Sequence, residues 1–152
     1  MLDNTLLTNI YAHGEKTYPE ESCGFVAADG TVYKGTNIQN DLNKRDPELY
    51  PRTAKNGYSF SIKDVRALEG SFSSANPATI IYHSHPDVGA YFSSEDKDKA
   101  LYMGEPIYDV NYLVADINNG CARGAKLFAY RDGDYTCIAQ YDAHGFLQTE
   151  TE

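Results

Sequence analysis

The stretch Ala78-Thr79-Ile80-Ile81-Tyr82-His83 constrains this chain most. Its apolar, β-branched residues run without polar alternation, as in a central strand covered on both faces. It leads into Ser84-His85-Pro86. Proline cannot donate to a ladder, so it ends the strand and leaves two histidines at the rim of a sheet. The rest of the chain has to supply neighbours for that strand and cover for both of its faces.

Those neighbours are legible. Leu2, Leu6, Leu7 and Ile10 fall near helical spacing, which predicts an amphipathic helix over residues 3–16. Gly14 and Pro19 punctuate the chain after it. Cys23 to Ala28, a turn at Asp29-Gly30 and Thr31 to Lys34 read as a hairpin. Residues 37–57 are polar, carry Pro47 and Pro51, and are long for a structureless loop, so they are either functional or ordered by contacts. Tyr58 to Ile62 alternates like a short strand, and Ser61 caps a helix running to Phe72. Ser93 or Ser94 starts another helix through Leu101. Val110 to Ala115, Ala125 to Tyr130 and Tyr135 to Ile138 are strands joined by turns at 118–120 and 132–134. Loops at 37–57 and 104–109 read either as the rim of a site that selects substrate or as ordinary connections. The expectation is an α/β fold in one domain over residues 1–152, with a mostly antiparallel sheet and a flexible, solvated tail at 147–152.

A length of 152 residues suits one modest core. The net charge of −9 opposes binding to nucleic acid or an anionic membrane, because phosphates need a positive footprint. Cys23, Cys121 and Cys137 form neither a CxxC pair nor an even set for a disulfide framework. Cys23 reads as a small core residue. There is no signal-peptide pattern at the start and no run of about 18 apolar residues, so the expectation is a cytoplasmic protein. Oligomeric state is not legible.

Side chains two apart on a strand share a face, so His83 and His85 point the same way, about 6–7 Å apart along the backbone. The stretch after Pro86 contains Gly89 and gives the chain room to turn back. Asp96 then arrives in the first turn of the next helix. Two imidazoles and a carboxylate are three protein ligands, the number that leaves a tetrahedral metal one open position. The same residues also read without metal: Ser93-Ser94-Glu95-Asp96 is a capping box, and the histidines are satisfied core residues. Other metal motifs fail. Position 88 is valine where a His-x-His-x-Asp-His site needs histidine, and neither Pro-Cys-x-x-Cys nor His-Glu-x-x-His occurs. A hydrolytic metal site also needs a general base. In Pro19-Glu20-Glu21-Ser22-Cys23-Gly24, Glu21 shares a face with Cys23 and Phe25, which points it inward, whereas Glu20 faces away.

The full order, Glu21, then His83-Ser84-His85-Pro86, then Ser93-x-x-Asp96, resembles the JAMM motif of the JAB/MPN metalloproteases. Pro19-x-Glu21-x-Cys23-Gly24 is similar to that family's N-terminal signature, and the similarity runs from about residue 18 to 130. The resemblance implies a curved sheet flanked by helices, similar to cytidine deaminases. It implies one zinc ion per chain held by His83, His85 and Asp96. Glu21 would activate zinc-bound water, and Ser93 would hydrogen-bond the oxyanion. Ser84 alternates to the other face and reads as structural.

The activity implied is a zinc peptidase or isopeptidase, deubiquitinase-like, that hydrolyses the amide bond after the C-terminus of a ubiquitin-like or sulfur-carrier protein. An extended tail of that partner can add beside the sheet as a strand. Two other expectations stand beside it: a phage tail-assembly peptidase of the same family, and a zinc-free scaffold. Tyr91 and Tyr108 are groove candidates, and His13 and His144 read as solvent-facing.

Overall fold

The computed structural model describes residues 2–151. In chain order the elements are α1 (Asn4–Thr17), β1 (Cys23–Ala27), β2 (Val32–Lys34), α2 (Gln39–Arg45), α3 (Ile62–Ser71), β3 (Ala78–Pro86) and α4 (Ser94–Ala100). They continue with β4 (Leu101–Tyr102), β5 (Glu105–Pro106), β6 (Asn111–Asn118), β7 (Cys121–Arg131), β8 (Asp134–Tyr141) and β9 (Leu147–Glu150). Seven strands form one open sheet in the order β2-β1-β3-β6-β7-β8-β9, and β4 and β5 make a separate small hairpin. Every neighbouring pair in the large sheet is antiparallel except β3 with β6. The fold is therefore mixed α/β on a mostly antiparallel sheet, as the sequence implies.

Strand β3 holds the central position that its composition demands. From Ile80 onward its side chains divide by parity. Ile80 and Tyr82 join Leu7, Ile10, Leu113 and Ile117 under α1. Ile81 joins Leu68 of α3, Ala100 of α4, Tyr112 and Phe128 on the opposite face. His83 and His85 continue the second set and Ser84 the first, so the strand's alternation alone commits the histidines to the α3/α4 side. Gly24 is fixed by this packing, since a Cβ there would lie 2.2 Å from the Tyr33 carbonyl oxygen and 2.5 Å from the Tyr82 ring.

Several expectations need correction. Gly14 does not punctuate the chain; it lies inside the helix, within the expected span of 3–16, buried against Ile117, where a larger residue would collide at 2.9 Å. Tyr58 to Ile62 is not a strand: only an isolated bridge joins Phe60 to Asn37, and the segment is held by side chains instead, Tyr58 stacking on His83 and the Ser59 N–H donating to Asn37 Oδ1. Residues 37–57 contain α2 and are pinned by side-chain amides. The 104–109 loop begins with β5. His13 is not solvent-facing: its Nδ1 lies 2.7 Å from the Tyr82 hydroxyl, and the ring is half-buried. The tail expected at 147–152 is instead ordered through Glu150, because β9 pairs with β8 as an exposed edge strand. Glu152 lies outside the described residues.

Candidate metal centre

The antiparallel register of β1 on β3 sets Cys23 opposite His83. Two residues upstream on one strand and downstream on the other, the same register brings Glu21 toward His85. Ser22 and Ser84, one step away on the far face, secure this junction. The Ser22 N–H donates to Ser84 Oγ at 2.8 Å, the two hydroxyls lie 3.0 Å apart, and the Ser84 N–H donates to the Ser22 carbonyl at 3.1 Å. Ser84 is fully buried in this structural role.

Asp96 reaches the same place from α4. Ser93 caps the helix by accepting the Asp96 N–H at 3.0 Å, and its own N–H donates to Asp96 Oδ2 at 3.0 Å. The capping box and the metal-ligand geometry are thus one arrangement. The box clamps the carboxylate so that Oδ2 faces both imidazoles, 3.2 Å from His83 Nε2 and 3.3 Å from His85 Nε2. The two Nε2 atoms are 3.1 Å apart. Ligand atoms held about 2.0–2.2 Å from a tetrahedral zinc stand roughly 3.3–3.5 Å from one another. The three donor atoms lie a few tenths of an ångström inside that spacing, so the residues fit the ion.

The surroundings support the same reading. His85 Nδ1 donates to the Gly89 carbonyl at 2.9 Å, which leaves Nε2 of the neutral ring as a lone pair aimed into the site. Gly89, with φ of 88°, takes a backbone conformation that suits glycine as the chain turns back. His83, with no exposed surface, stacks on Tyr58. Burial works against the charge on Asp96, but the adjacent imidazoles of His83 and His85 and the hydrogen bond from the Ser93 N–H hold its carboxyl well below the usual range.

Glu21 is buried, and its Oε1 has no hydrogen-bond partner among the described residues. Ligand atoms of Glu21, His83 and His85 all lie within 4.8 Å of one another, so this trio too can hold a metal. Burial pushes the Glu21 carboxyl up, against the pull of His83 and His85. That is the direction a proton acceptor working near neutrality needs. The Cys23 thiol is pushed up to about 12 by burial, which removes it as a nucleophile. Glu20 faces away, as expected, and accepts from Asn40 Nδ2 at 2.8 Å.

The cleft has a volume of about 250 Å³, and Glu21, His85, Ser93 and Asp96 all line it. Tyr91 edges against His85, with ring centroids 4.8 Å apart, and also lines it. Tyr108 stacks on Phe72 and lines a separate apolar groove. An ion pair between Arg52 and Glu95 ties the polar segment to α4 across the cleft.

Three residues with parts in this site escaped the sequence reading. Asn37 donates to the Glu21 and Gly57 carbonyls, both at 3.0 Å, and accepts from Gln39 N and Ser59 N. Tyr58 stacks on His83, and nothing local in the sequence signals so distant a contact. Lys99 also lines the cleft, and its place three residues after Asp96 on one helix face was a usable signal.

No helix among the described residues is long and apolar enough to cross a membrane. No curated protein matches the chain. Two solution structures resemble it across 90% of its length. One, from Desulfitobacterium hafniense, has a TM-score of 0.60 at 20% identity over 87% of that chain. The other, from Salinibacter ruber, has a TM-score of 0.56 at 22% identity over 88%. At such identities they speak for the fold alone. The model of the prokaryotic homologs of the JAB domain matches residues 3–123. With that match over most of its length, and with the buried Glu21, His83 and His85 gathered at the end of β3, the chain belongs to the prokaryotic JAB family.

Proposed function

We propose that this protein is a zinc-dependent peptidase or isopeptidase that cuts the amide bond following the C-terminus of a ubiquitin-like or sulfur-carrier protein. One observation carries the reading: His83, His85 and Asp96 present three donor atoms at 3.1–3.3 Å separations, with the unpartnered Glu21 carboxylate beside them. His83, His85 and Asp96 hold the ion, and Glu21 is left as the base. Zinc bound there supplies a Lewis acid that polarises the scissile carbonyl and acidifies water.

The chain's own residues do the rest. Glu21 Oε1 accepts the proton of the attacking water and passes it to the leaving amine nitrogen. The Ser93 hydroxyl, whose lone pair serves the Asp96 N–H, keeps its own O–H to donate to the carbonyl oxygen as charge develops there. The half-enclosed cleft admits a narrow extended tail, which suits a carrier protein ending in small residues.

The test is metal content together with cleavage of carrier-protein fusions. The expected results are about one zinc per chain and release of the C-terminal extension. Glu21→Gln should retain zinc but lose about 10²- to 10⁴-fold in rate. Zinc loss in Glu21→Gln would instead make Glu21 a ligand. Cleavage of phage tail proteins but not carriers would move the substrate within the family, and zinc-free protein that binds partners intact would make it a scaffold.

A further inference from the structure

Lys99 is a partly buried charged group in the cleft that the chemistry above does not use. Its Nζ lies 4.2 Å from the Tyr58 ring centroid and 3.5 Å from Ser59 Oγ. An ammonium has three donors, and Ser59 takes at most one of them at a long distance. Among the described residues Lys99 makes no ion pair, whereas Arg52 is matched by Glu95 and Lys97 by Asp134. The side chain borders the metal cleft, an adjoining pocket beside Gln39 and Arg52, and the apolar groove of Phe60, Val65 and Tyr112. It stands where the three meet.

Burying an ammonium without a counter-charge is costly. Burial lowers the affinity of Lys99 for its proton, and the fields of Glu21 and Asp96 oppose that. A divalent ion in the cleft offsets those two carboxylates, leaving Lys99 as the uncompensated charge. Among the described residues Lys55 also lines the cleft without an ion pair, but it is exposed to solvent, so Lys99 is the unpaired cation that a protein with a net charge of −9 keeps partly buried there. The ligand chemistry that completes this arrangement is an anion held near the metal.

Building on the peptidase reading, we propose that Lys99 is a substrate-binding residue that holds a carboxylate of the substrate next to the bond being cut. That carboxylate is either the free C-terminus of the departing amino acid or peptide, or an acidic side chain beside the scissile amide. Tyr58 and Ser59 hold the ammonium in place, and the apolar groove beside it takes the rest of the departing group. The site therefore prefers an anionic leaving group over a neutral one.

The test measures binding to zinc-loaded Glu21→Gln protein by calorimetry, with three acetylated peptides. These are Gly-Gly-Ala with a free carboxylate, the same peptide as its amide, and Gly-Gly-Asp as its amide. A charge-assisted contact of this kind is worth about ten- to a hundredfold in affinity. At least one carboxylate peptide should exceed the neutral amide by that factor, and which one does identifies the source. The preference should vanish when Lys99→Met is added and persist with Lys99→Arg; Lys99→Gln serves if the methionine variant does not fold. A preference that survives loss of the lysine means that the metal alone holds the carboxylate, and overturns the proposal, as does absence of any preference. Preference without cleavage by the wild type sinks the peptidase reading and keeps the subsite; cleavage without preference does the reverse.

Discussion

Tyr58 lies nearly flat against His83, with ring centroids 4.6 Å apart and 24° between the planes. His83 Nδ1 is buried and has no hydrogen-bond partner among the described residues. Metal-binding imidazoles are ordinarily oriented by a hydrogen bond on the second nitrogen. Here the stacked phenol ring takes that part for His83, while Gly89 serves His85 in the usual way. Tyr58→Leu should weaken zinc binding about tenfold, at the low end of what outer-sphere changes cost. Tyr58→Phe keeps the ring and should bind as the wild type does. Chelator competition on folded protein measures both, and equal affinities in all three proteins would discard the role.

Metal removal gives a second prediction. His83, His85 and Asp96 are at most 6% exposed, so they bring uncompensated polar groups together in the interior. Zinc at a thousandfold excess over its dissociation constant stabilises the fold by about 4 kcal/mol. Chelation should therefore lower the melting temperature reversibly. In His85→Ala and Asp96→Ala the response to chelator and to added zinc should disappear. A melting temperature of the wild type indifferent to both treatments would contradict the ligand assignment.

The legibility of the fold followed the range of the interactions. Strand β3, the β1–β2 hairpin and both serine caps were readable because each rests on alternation, turn chemistry or capping within a few residues. Placing the histidines on one face needed only the period of a strand, and aiming Glu21 inward needed only its parity with Cys23. The pairing of β1 with β3 in the register that sets Glu21 toward His85 was not readable, since nothing local fixes it. Tyr58 reads as a strand residue because its neighbours alternate, yet its place is decided by the His83 ring. The edge strand β9 escaped for another reason: its residues are polar and exposed, so only backbone hydrogen bonds to β8 distinguish it from a tail.

The polar segment of residues 37–57 shows what such regions do when they are not disordered. Asn37 uses both amide protons and its carbonyl oxygen to join Glu21, Gly57, Gln39 and Ser59. The Glu21 N–H is also held, by the Ala54 carbonyl at 2.7 Å. Asn37→Asp keeps the size and the acceptor but removes both donors, placing a negative oxygen against two carbonyls. Each buried carbonyl left unpaired costs about 1–3 kcal/mol, so a loss of several kcal/mol in denaturant unfolding is expected. Activity should fall more than zinc content, because the residue positions Glu21 and not the metal ligands. Proportional loss of both would show that Asn37 supports the whole site.

Glu21 itself should trade stability for chemistry. Its carboxyl is raised by burial, partly offset by His83 and His85. A carboxyl whose folded pKa exceeds its unfolded value contributes stability below the unfolded value, near pH 4, and loses it as pH rises through the folded one. At pH 7 to 8, well above the unfolded value, metal-free wild type has therefore lost that contribution and carries a cost of burying the group that Glu21→Gln does not. The variant's melting temperature should exceed that of the wild type at pH 8, and the two should converge toward pH 4. Adding zinc should narrow the gap at pH 8, since a cation beside Glu21 favours its ionised form. Thermal unfolding across that range, with and without metal, checks the sign. A wild type more stable than Glu21→Gln at pH 8 without metal would mean that the carboxylate is already compensated, and would remove the physical reason for reading it as a base.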